Sequence, residues 1–246
     1  MAEPSGVKRL TIGEAFAVAK GLGTLGTGST ALDGLLGGGY AEGRITEVFG
    51  PSSSGKSQLA MQATVMAAAK GWRSVYVDTE ATFRPERVAQ IAEVRGLDPK
   101  ATLDSVFFVR VREVGAQTRA MERMADDERV RSAKLLVVDT VTKNFSLAFP
   151  DKELVGRRQG ALGAYLNRMA VDAYLNRRVV LLTNRVASVT RDGVTRDVSL
   201  GGLTLRKFAR AAVRLSRDGG AVLASLEFPP GAGPPTRCRL SERGFE

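Results

Sequence analysis

The sequence contains no histidine and only one cysteine, Cys238. Histidine is the side chain that most often binds metals and moves protons near neutral pH, so its absence removes the usual donor for both tasks. A single cysteine can form neither an internal disulfide nor a zinc site built on cysteine pairs. Any chemistry of this chain must therefore use carboxylates, lysine, arginine, hydroxyl groups and a bound ion.

Long apolar runs are also missing. Residues 1–9 are polar and mixed in charge. No later stretch approaches the roughly 18 uninterrupted apolar residues of a membrane-spanning helix. We therefore expect a soluble, cytoplasmic protein.

Acidic residues are outnumbered by basic ones. The chain has 26 Asp and Glu against 36 Lys and Arg, a net charge of +10 and a pI near 10.2. Such a surplus favours a polyanionic partner, most often nucleic acid and less often an anionic membrane surface. If the partner is DNA, the protein is expected to be associated with the nucleoid.

Short apolar segments alternate with segments of helical period, which is typical of an α/β protein with a mostly parallel central sheet flanked by helices. Strands covered on both faces are short, β-branched or aromatic and nearly continuous in apolar character. Five segments fit this description: 45–49, 74–77, 106–109, 135–138 and 179–183. Helices are predicted at 57–70, 85–95, 117–130 and 153–176, the last with or without a break.

The C-terminal part is predicted to be antiparallel. Segments 211–215 and 222–228 flank an Asp-Gly-Gly turn and should form a β-hairpin that extends the sheet, with a last short strand at 237–240. A chain of 246 residues, 43% of them hydrophobic, can bury one large core. We therefore predict one core domain at 26–246 and an N-terminal extension at 1–25.

A phosphate-binding loop is predicted directly after the first strand. The pattern G-x-x-x-x-G-K-[ST] is met by Gly50, Pro51, Ser52, Ser53, Ser54, Gly55, Lys56 and Ser57. Glycines let successive backbone N–H groups curl around a β-phosphate, and the helix that follows presents its N-terminus to the anion. Lys56 is expected to bridge the β- and γ-phosphates of ATP, and Ser57 to bind Mg²⁺. The alternative is a glycine-serine turn without a ligand.

Two further strands end in carboxylates. Asp139 follows the apolar run 135–138, as in a Walker B strand, and is predicted to hold the magnesium shell. An Asp that caps a turn is the alternative. Glu80 follows the strand at 74–77, and without histidine in the chain it is the natural general base for a water that attacks the γ-phosphate. Its alternative role is to cap the helix that begins near Pro85.

A polar pair, Asn184 and Arg185, ends the strand predicted at 179–183. Ligands of open α/β folds collect outside the carboxyl ends of the strands, so this pair is expected near the γ-phosphate. A turn-forming asparagine is the alternative, and these residues alone do not decide between the two.

Two basic stretches follow strand ends and are expected to be flexible loops. The first, 142–159, contains Lys143, Asn144, Phe145, Arg157 and Arg158, and the second, 187–200, contains Arg191 and Arg196. Basic side chains on mobile loops suit the phosphates of a single-stranded nucleic acid, and Phe145 could stack a base. Ordinary solvated loops are the competing interpretation.

Taken together, these segments resemble the RecA-type recombinases, and more closely the branch of archaeal RadA and its eukaryotic counterparts. The resemblance runs from about Leu22 to the C-terminus. It rests on the glycine-rich string 26–39, on 45–50, on the P-loop continuing into Gln58, and above all on 77–87, which reads VDTEATFRPER. Three shorter matches add to it: Arg158-Gln159, 166–169 and Gly201-Gly202.

This resemblance implies a RecA-type P-loop ATPase core that uses ATP and Mg²⁺. It implies Glu80 as the catalytic carboxylate, Asp139 as the Walker B acid and Arg84 as a contact of the adenine. The two basic stretches correspond to the loops that hold single-stranded DNA in the family. Asn184 and Arg185 correspond to the position that couples the γ-phosphate to the second of these loops.

The sequence departs from the family pattern in four respects. It shows no N-terminal helical DNA-binding domain. The oligomerisation element F-x-x-A has no clear counterpart, because 16–19 fits by letter whereas the spacing to Gly28 points to 10–13. The second basic stretch is short. Arg185 stands where the family usually has a glutamine that senses the γ-phosphate. A bare core with a short second loop and the ending 239–245 resembles RadB, the archaeal recombinase paralog.

We predict an ATP-dependent DNA-binding protein of homologous recombination and repair, similar to RadB, with weak ATPase activity. The expected partners are single-stranded DNA, the main recombinase or other repair proteins, and further copies of the chain, with no membrane partner. Two alternatives stay open: a nearly silent ATP-binding accessory that docks on the main recombinase, and an active strand-exchange recombinase. A small-molecule P-loop kinase is a third, which the string 77–87 and the basic stretches disfavour.

Overall fold

The computed structural model describes residues 11–14, 20–191, 193–230 and 233–246, without the side chains of 125, 191 and 194–196. The F-x-x-A match at 16–19 lies outside these ranges. The strands are β1 Thr24–Leu25, β2 Tyr40–Ala41, β3 Arg44–Phe49, β4 Ser74–Asp78, β5 Val106–Arg110, β6 Leu135–Asp139, β7 Val179–Asn184, β8 Val186–Arg191, β9 Val194–Ser199, β10 Ala209–Asp218, β11 Ala221–Phe228, β12 Thr236–Cys238, β13 Leu240–Ser241 and β14 Gly244–Phe245.

The α-helices are α1 Thr30–Leu36, α2 Lys56–Ala69, α3 Pro85–Val94, α4 Pro99–Asp104, α5 Val114–Glu122, α6 Glu128–Arg131, α7 Lys143–Ala148, α8 Val155–Asn176 and α9 Gly202–Phe208. Arg123–Ala125 and Lys152–Leu154 form 3₁₀ turns. Within the described ranges, none of the helices combines the length and the apolar character needed to cross a bilayer.

The central sheet has eight strands in the order β12-β11-β10-β3-β7-β6-β4-β5. Strands β10 to β5 in this order run parallel, and β11 and β12 extend the sheet antiparallel at one side. This confirms the predicted α/β class and the C-terminal hairpin. The register places Asp78 opposite Asp139 and Phe49 opposite Asn184, so the carboxyl ends of the four inner strands reach one edge together.

Alternate residues of the inner strands pack into two hydrophobic cores, one on each face of the sheet. In β6, Leu135 and Val137 pack on the side of α2, whereas Leu136 and Val138 pack on the side of α8. All four are fully buried, and each contributes about 1.5–3 kcal/mol through the hydrophobic effect. Continuous apolar strands covered on both faces are therefore confirmed for the centre of the sheet.

Three predicted elements differ in the structure. The helix predicted at 117–130 is broken, because the side chain of Asp127 accepts the backbone N–H of Arg129 at 2.9 Å and starts a new helix. Strand β5 is the edge of the sheet, so it is only partly covered and Phe108 is 42% exposed. The strand predicted at 237–240 divides into β12 and β13, and β13 pairs with β14 instead of extending the sheet.

The hairpin of β13 and β14 packs on the helix that follows the P-loop. Gln62 of α2 is fully buried, donates to the carbonyl oxygen of Phe245 at 3.1 Å and accepts its backbone N–H at 2.6 Å. The other hydrogen of the same amide reaches the carbonyl oxygen of Thr27 at 2.8 Å. The C-terminal hairpin is therefore hydrogen-bonded to the P-loop helix through Gln62.

Candidate functional site

The P-loop leads directly into α2 and leaves the end of that helix open. Gly55 precedes the helix with φ 101°, in the left-handed region, and no side chain caps the first N–H groups of α2. A Cβ at Gly55 would come within 2.6 Å of Cζ of Phe245, and one at Gly50 within 2.1 Å of the carbonyl oxygen of Leu215. Both positions therefore need glycine, and the uncapped N–H groups fit a phosphate.

Lys56 lies across the P-loop. Its Nζ donates to the carbonyl oxygens of Gly50 at 2.9 Å and Pro51 at 2.7 Å. Burial lowers the pKa of Lys56, while the negative charges of Asp139 and Glu80 raise it. These groups therefore lie close enough to act on one another, as the predicted ATP site requires.

Asp139 ends β6 and is completely buried. One carboxylate oxygen accepts the hydroxyl of Tyr76 at 2.7 Å, and the other accepts the hydroxyl of Thr183. Burial, and then the charge of Asp139, raises the pKa of Tyr76 well above its ordinary value, so the tyrosine remains a donor. Asp139 is thereby fixed in orientation by the strands on both sides of it.

The donors near the P-loop suit a magnesium ion that shares its ligands with a nucleotide. In the described part of the chain, no group of three or more His, Cys, Asp or Glu could hold a metal by itself. Mg²⁺ typically keeps several waters and uses one or two protein ligands together with substrate phosphates. The hydroxyl of Ser57, half-buried at the start of α2, and the carboxylate of Asp139 fit that pattern.

Glu80 lies on a turn that Asp78 holds in shape. One oxygen of the buried Asp78 carboxylate accepts the backbone N–H groups of Glu80 at 3.0 Å and Ala81 at 2.8 Å. Glu80 does not cap the helix α3, because Arg84 precedes that helix and no side chain in the described ranges accepts its first N–H groups. The Glu80 side chain is 22% exposed and accepts the hydroxyl of Thr140 at 3.0 Å.

Two cations flank Glu80. Nζ of Lys143 lies 3.7 Å from one carboxylate oxygen, and Nε of Arg185 lies 3.7 Å from the other. Lys143 also donates to the carbonyl oxygen of Thr79 at 2.9 Å. In the structure the ammonium group of Lys143 is thus engaged at the carboxylate site, and its contact with DNA stays a prediction.

Asn144 and Phe145 are buried, each only 1% exposed. Asn144 donates to the side chain of Gln117 at 3.0 Å, and the Phe145 ring packs against Tyr165 with centroids 5.6 Å apart. A buried ring cannot stack a base, so the prediction that these two side chains contact DNA is wrong for this structure. The apolar side of α7 faces the core, where Phe145 anchors the helix.

We expect the replacement of Phe145 by leucine to lower the free energy of unfolding by about 1–2 kcal/mol, because it leaves a gap in the core. Affinity for a single-stranded oligonucleotide should not change. Denaturant unfolding and fluorescence binding titrations measure the two quantities. Leu147→Ala is the matched control, since Leu147 is 65% exposed on the same helix. A loss of DNA affinity at unchanged stability would contradict the burial argument.

The two basic stretches are not loops throughout. The first contains α7, the turn Lys152–Leu154 and the start of α8, and the second forms an antiparallel hairpin of β8 and β9. Arg157 is exposed, and Arg158 donates to the carbonyl oxygen of Phe149 at 3.2 Å. Arg191 and Arg196 belong to the two hairpin strands, but their side chains lie outside the description, so their DNA contacts remain predictions.

Asn184 is fully buried at the end of β7. Its amide nitrogen donates to Glu47 at 2.8 Å and to the carbonyl oxygen of Leu200 at 2.6 Å, and its oxygen accepts the hydroxyl of Thr142 at 2.6 Å. Asn184 is therefore more than a turn residue, because it connects three segments at this edge. Its neighbour Arg185 is the side chain that reaches the carboxylate of Glu80.

Glu47 is a buried carboxylate that the sequence analysis did not single out. Burial raises its pKa to about 7, although hydrogen bonds from Ser199 and Asn184 and the charge of Arg206 lower it in part. The signal was present in the sequence, since a glutamate interrupts the apolar strand 45–49. A charged residue within a strand covered on both faces is rarely without a specific partner.

Arg84 is exposed at the start of α3, and its contact with an adenine stays a prediction. Arg87 is the arginine of this segment that reaches the P-loop helix. It donates to the side chain of Gln58 at 2.8 Å and to the carbonyl oxygens of Ser241 at 2.6 Å and Glu242 at 3.0 Å. Gln58 is thereby connected to the C-terminal hairpin.

The strand order, the uncapped P-loop helix and the carboxylates at the ends of β4 and β6 define a P-loop protein with a RecA-type core. The sequence profile of the Rad51 family matches residues 20–202. The chain belongs to the Rad51 family.

Three curated relatives share the name DNA repair and recombination protein RadA. The protein of Ignicoccus hospitalis is 38% identical over 171 residues, which are 65% of this chain and 52% of that protein. That of Metallosphaera sedula is 34% identical over 203 residues, 79% of this chain and 62% of that protein. That of Aeropyrum pernix is 37% identical over 166 residues, 65% and 52% respectively. The matched segments thus span about half to three-fifths of these relatives.

The predicted resemblance to RecA-type recombinases and to the RadA branch is confirmed by these matches. The closer resemblance to RadB is not tested by them and stays a prediction.

Proposed function

We propose that this chain is an ATP-dependent DNA-binding protein of homologous recombination and repair, with weak ATPase activity. The observation that carries the proposal is the convergence of Lys56, Glu80 and Asp139 at the carboxyl edge of the sheet, beside Arg185. The P-loop supplies a phosphate site there, and the basic segments 142–159 and 187–200 leave the same edge. The RadA relatives, named for DNA repair and recombination, support the same reading.

In the proposed mechanism, the first N–H groups of α2 and the ammonium group of Lys56 bind the β- and γ-phosphates of ATP. Ser57, and Asp139 through water, would hold Mg²⁺, which neutralises charge that develops on the phosphates. Tyr76 and Thr183 orient Asp139 for this task.

Glu80 is proposed to orient the attacking water and take its proton. In the structure its carboxylate is held by Thr140 and flanked by Lys143 and Arg185. These contacts occupy both carboxylate oxygens and compete for them with the attacking water. Glu80 should become an effective base only when the γ-phosphate draws at least one of these cations away.

The DNA part of the proposal rests on charge and position. Arg157 and Arg158 at the start of α8, with Arg191 and Arg196 of the hairpin, would contact the phosphates of single-stranded DNA. Arg157 is exposed and available for such a contact. Because nucleotide and DNA would lie at the same edge of the sheet, occupancy of one is expected to change the affinity for the other.

The test is the affinity for a labelled single-stranded oligonucleotide, measured with and without a non-hydrolysable ATP analogue and Mg²⁺ at several salt concentrations. The proposal predicts tighter binding with the analogue and a linear fall of log K with log salt. An affinity that is indifferent to both would overturn it. ATPase turnover with and without the oligonucleotide, together with the particle size in the same buffer, separates an accessory from a filament-forming recombinase.

We attribute the proposed weak ATPase activity to Arg185, which occupies the place of the expected glutamine sensor and pairs with Glu80. Arg185→Gln removes one cation from the carboxylate while keeping a polar side chain. We expect turnover to rise several-fold, because one carboxylate oxygen of Glu80 is released to orient the attacking water. Steady-state phosphate release measures this. Arg177→Gln is the matched control, since Arg177 pairs with Glu42 at 3.4 Å away from the site. Unchanged or lower turnover in Arg185→Gln would refute the proposal that Arg185 limits the action of Glu80.

A second candidate is an accessory that binds ATP with almost no turnover and docks on the main recombinase. The side of the sheet that β5 forms favours this candidate, because no strand of the sheet lies beyond β5 in the described structure, and β5 carries the exposed Phe108. Phe108 stacks on Phe83 with centroids 4.9 Å apart, beside a groove of about 420 Å³. Stimulation of the recombinase by a Lys56→Ala variant would favour docking, and dependence on intact Lys56 would favour catalysis.

A further inference from the structure

A buried polar cluster lies at the carboxyl ends of β3 and β7, beside the proposed nucleotide site, and takes no part in the chemistry proposed above. Its centre is Glu47 of β3, which is 3% exposed and lies just before the P-loop. The carboxylate accepts the amide of Asn184 at 2.8 Å and the hydroxyl of Ser199. A buried carboxylate costs free energy unless it is hydrogen-bonded, so packing alone does not account for a glutamate here.

The cluster joins the base of the β8–β9 hairpin to the turn that carries Arg185. Ser199 is the last residue of β9, and the next backbone N–H, that of Leu200, donates to the carbonyl oxygen of Arg185 at 3.0 Å. The backbone N–H of Arg185 in turn donates to the side chain of Asn184 at 2.9 Å. A displacement of the Arg185 backbone would therefore reach both ends of the hairpin.

The first basic stretch joins the same cluster. Thr142, the residue before α7, donates its hydroxyl to Asn184 at 2.6 Å. Thr142 lies next to Lys143, the second cation on Glu80. Strand β3 and the two basic segments thus meet at Asn184 and Glu47, and each cation that pairs with Glu80 is the sequence neighbour of a residue in this cluster.

We propose that Glu47 and Ser199 are positioning residues that transmit the state of the nucleotide site to the β8–β9 hairpin. Glu47 holds the base of the hairpin against the strand that leads into the P-loop. When Arg185 moves towards a γ-phosphate, β8 and β9 therefore change orientation together. Without the contacts of Glu47, the hairpin would respond less to a movement of Arg185. This inference rests on the proposed ATP-dependent binding of DNA.

Ser199→Ala tests the proposal with little risk to folding, because Ser199 is only partly buried. The matched control is Ser188→Ala, which removes a hydroxyl bond to Asp197, 2.7 Å long, in the same hairpin but away from Glu47. The first readout is hydrogen exchange of the amides of 186–200, with and without a non-hydrolysable ATP analogue and Mg²⁺. Wild type and Ser188→Ala should gain protection with the analogue, and Ser199→Ala should lose most of that gain.

The second readout is the ratio of oligonucleotide affinities with and without the analogue. We expect Ser199→Ala to reduce this ratio about fivefold, which is at the lower end of typical coupling between sites. Its KM for ATP should stay as in wild type, since the P-loop is untouched. Glu47→Gln keeps an acceptor oxygen for both donors and should retain coupling, whereas Glu47→Ala should lose it.

The outcomes separate this inference from the proposed function. If the wild type shows coupling and Ser199→Ala matches it in both readouts, the inference is overturned while the proposed function stands. Equal coupling in Glu47→Gln and Glu47→Ala would also overturn it. If the wild type itself shows neither protection nor altered affinity with the analogue, the proposed function fails and the inference falls with it.

Discussion

ATP turnover should fall by about 10²–10⁴-fold when Glu80 is replaced by glutamine, the usual contribution of a general base. Glutamine keeps the shape of the side chain and an oxygen that can accept the Thr140 hydroxyl, so the turn over Asp78 should be preserved. It loses the negative charge that faces Lys143 and Arg185 and can no longer take a proton from water.

The affinity for ATP should stay close to that of the wild type, because Glu80 is not proposed to contact the phosphates. Single-turnover phosphate release measures the chemical step, and a titration with a fluorescent ATP analogue measures binding. Glu86→Gln is the matched control, because Glu86 is an exposed glutamate in the first turn of α3. Turnover within threefold of wild type in Glu80→Gln would eliminate Glu80 as the base.

The sheet and the nucleotide edge could be predicted from the sequence because their signals are local. Apolar strands end in Asp139 and in the turn of Glu80, and the P-loop pattern lies between a strand and a helix. Parallel strands bring their carboxyl ends to one edge, so the order of the strands was hardly needed to place these groups together. The register that pairs Asp78 with Asp139 is what makes them neighbours.

Which side chains of the first basic segment face the core could not be predicted in the same way. Lys143, Asn144 and Phe145 follow one another in sequence, yet one reaches Glu80 and the other two are buried. Which side of a short helix faces the core depends on tertiary packing, here against Gln117 and Tyr165, and four to six residues carry no periodicity that reveals it.

For Glu47, the sequence shows an unusual residue but not its partners. A glutamate within an apolar strand indicates a buried polar partner, but the donors, Asn184 and Ser199, are more than a hundred residues away in the chain. Only the tertiary structure shows that these donors also hold the base of the hairpin. Long-range polar contacts of this kind leave no local pattern in a single sequence.

Lys56→Ala should lower kcat/KM for ATP by at least about 10²–10³-fold, the typical cost of removing one preorganised donor from a developing charge. The same change should abolish stabilisation by the ligand. Bound ATP adds about 2.7 kcal/mol to the free energy of unfolding when its concentration is 100 times Kd. Thermal unfolding with and without ATP and Mg²⁺ therefore reports binding independently of turnover.

The loss should come from geometry as well as charge, because Nζ of Lys56 reaches two carbonyl oxygens of the loop, Gly50 and Pro51. Lys56→Arg keeps the charge but replaces a compact ammonium group by a planar guanidinium, so it should recover little of the activity. Lys100→Ala is the control, since Lys100 is 85% exposed and pairs with Asp104 on α4, away from the P-loop. A Lys56→Ala protein that is still stabilised by ATP as strongly as the wild type would show that the phosphates bind elsewhere. The roles argued for Ser57, Glu80 and Arg185 would then lose their common reference point.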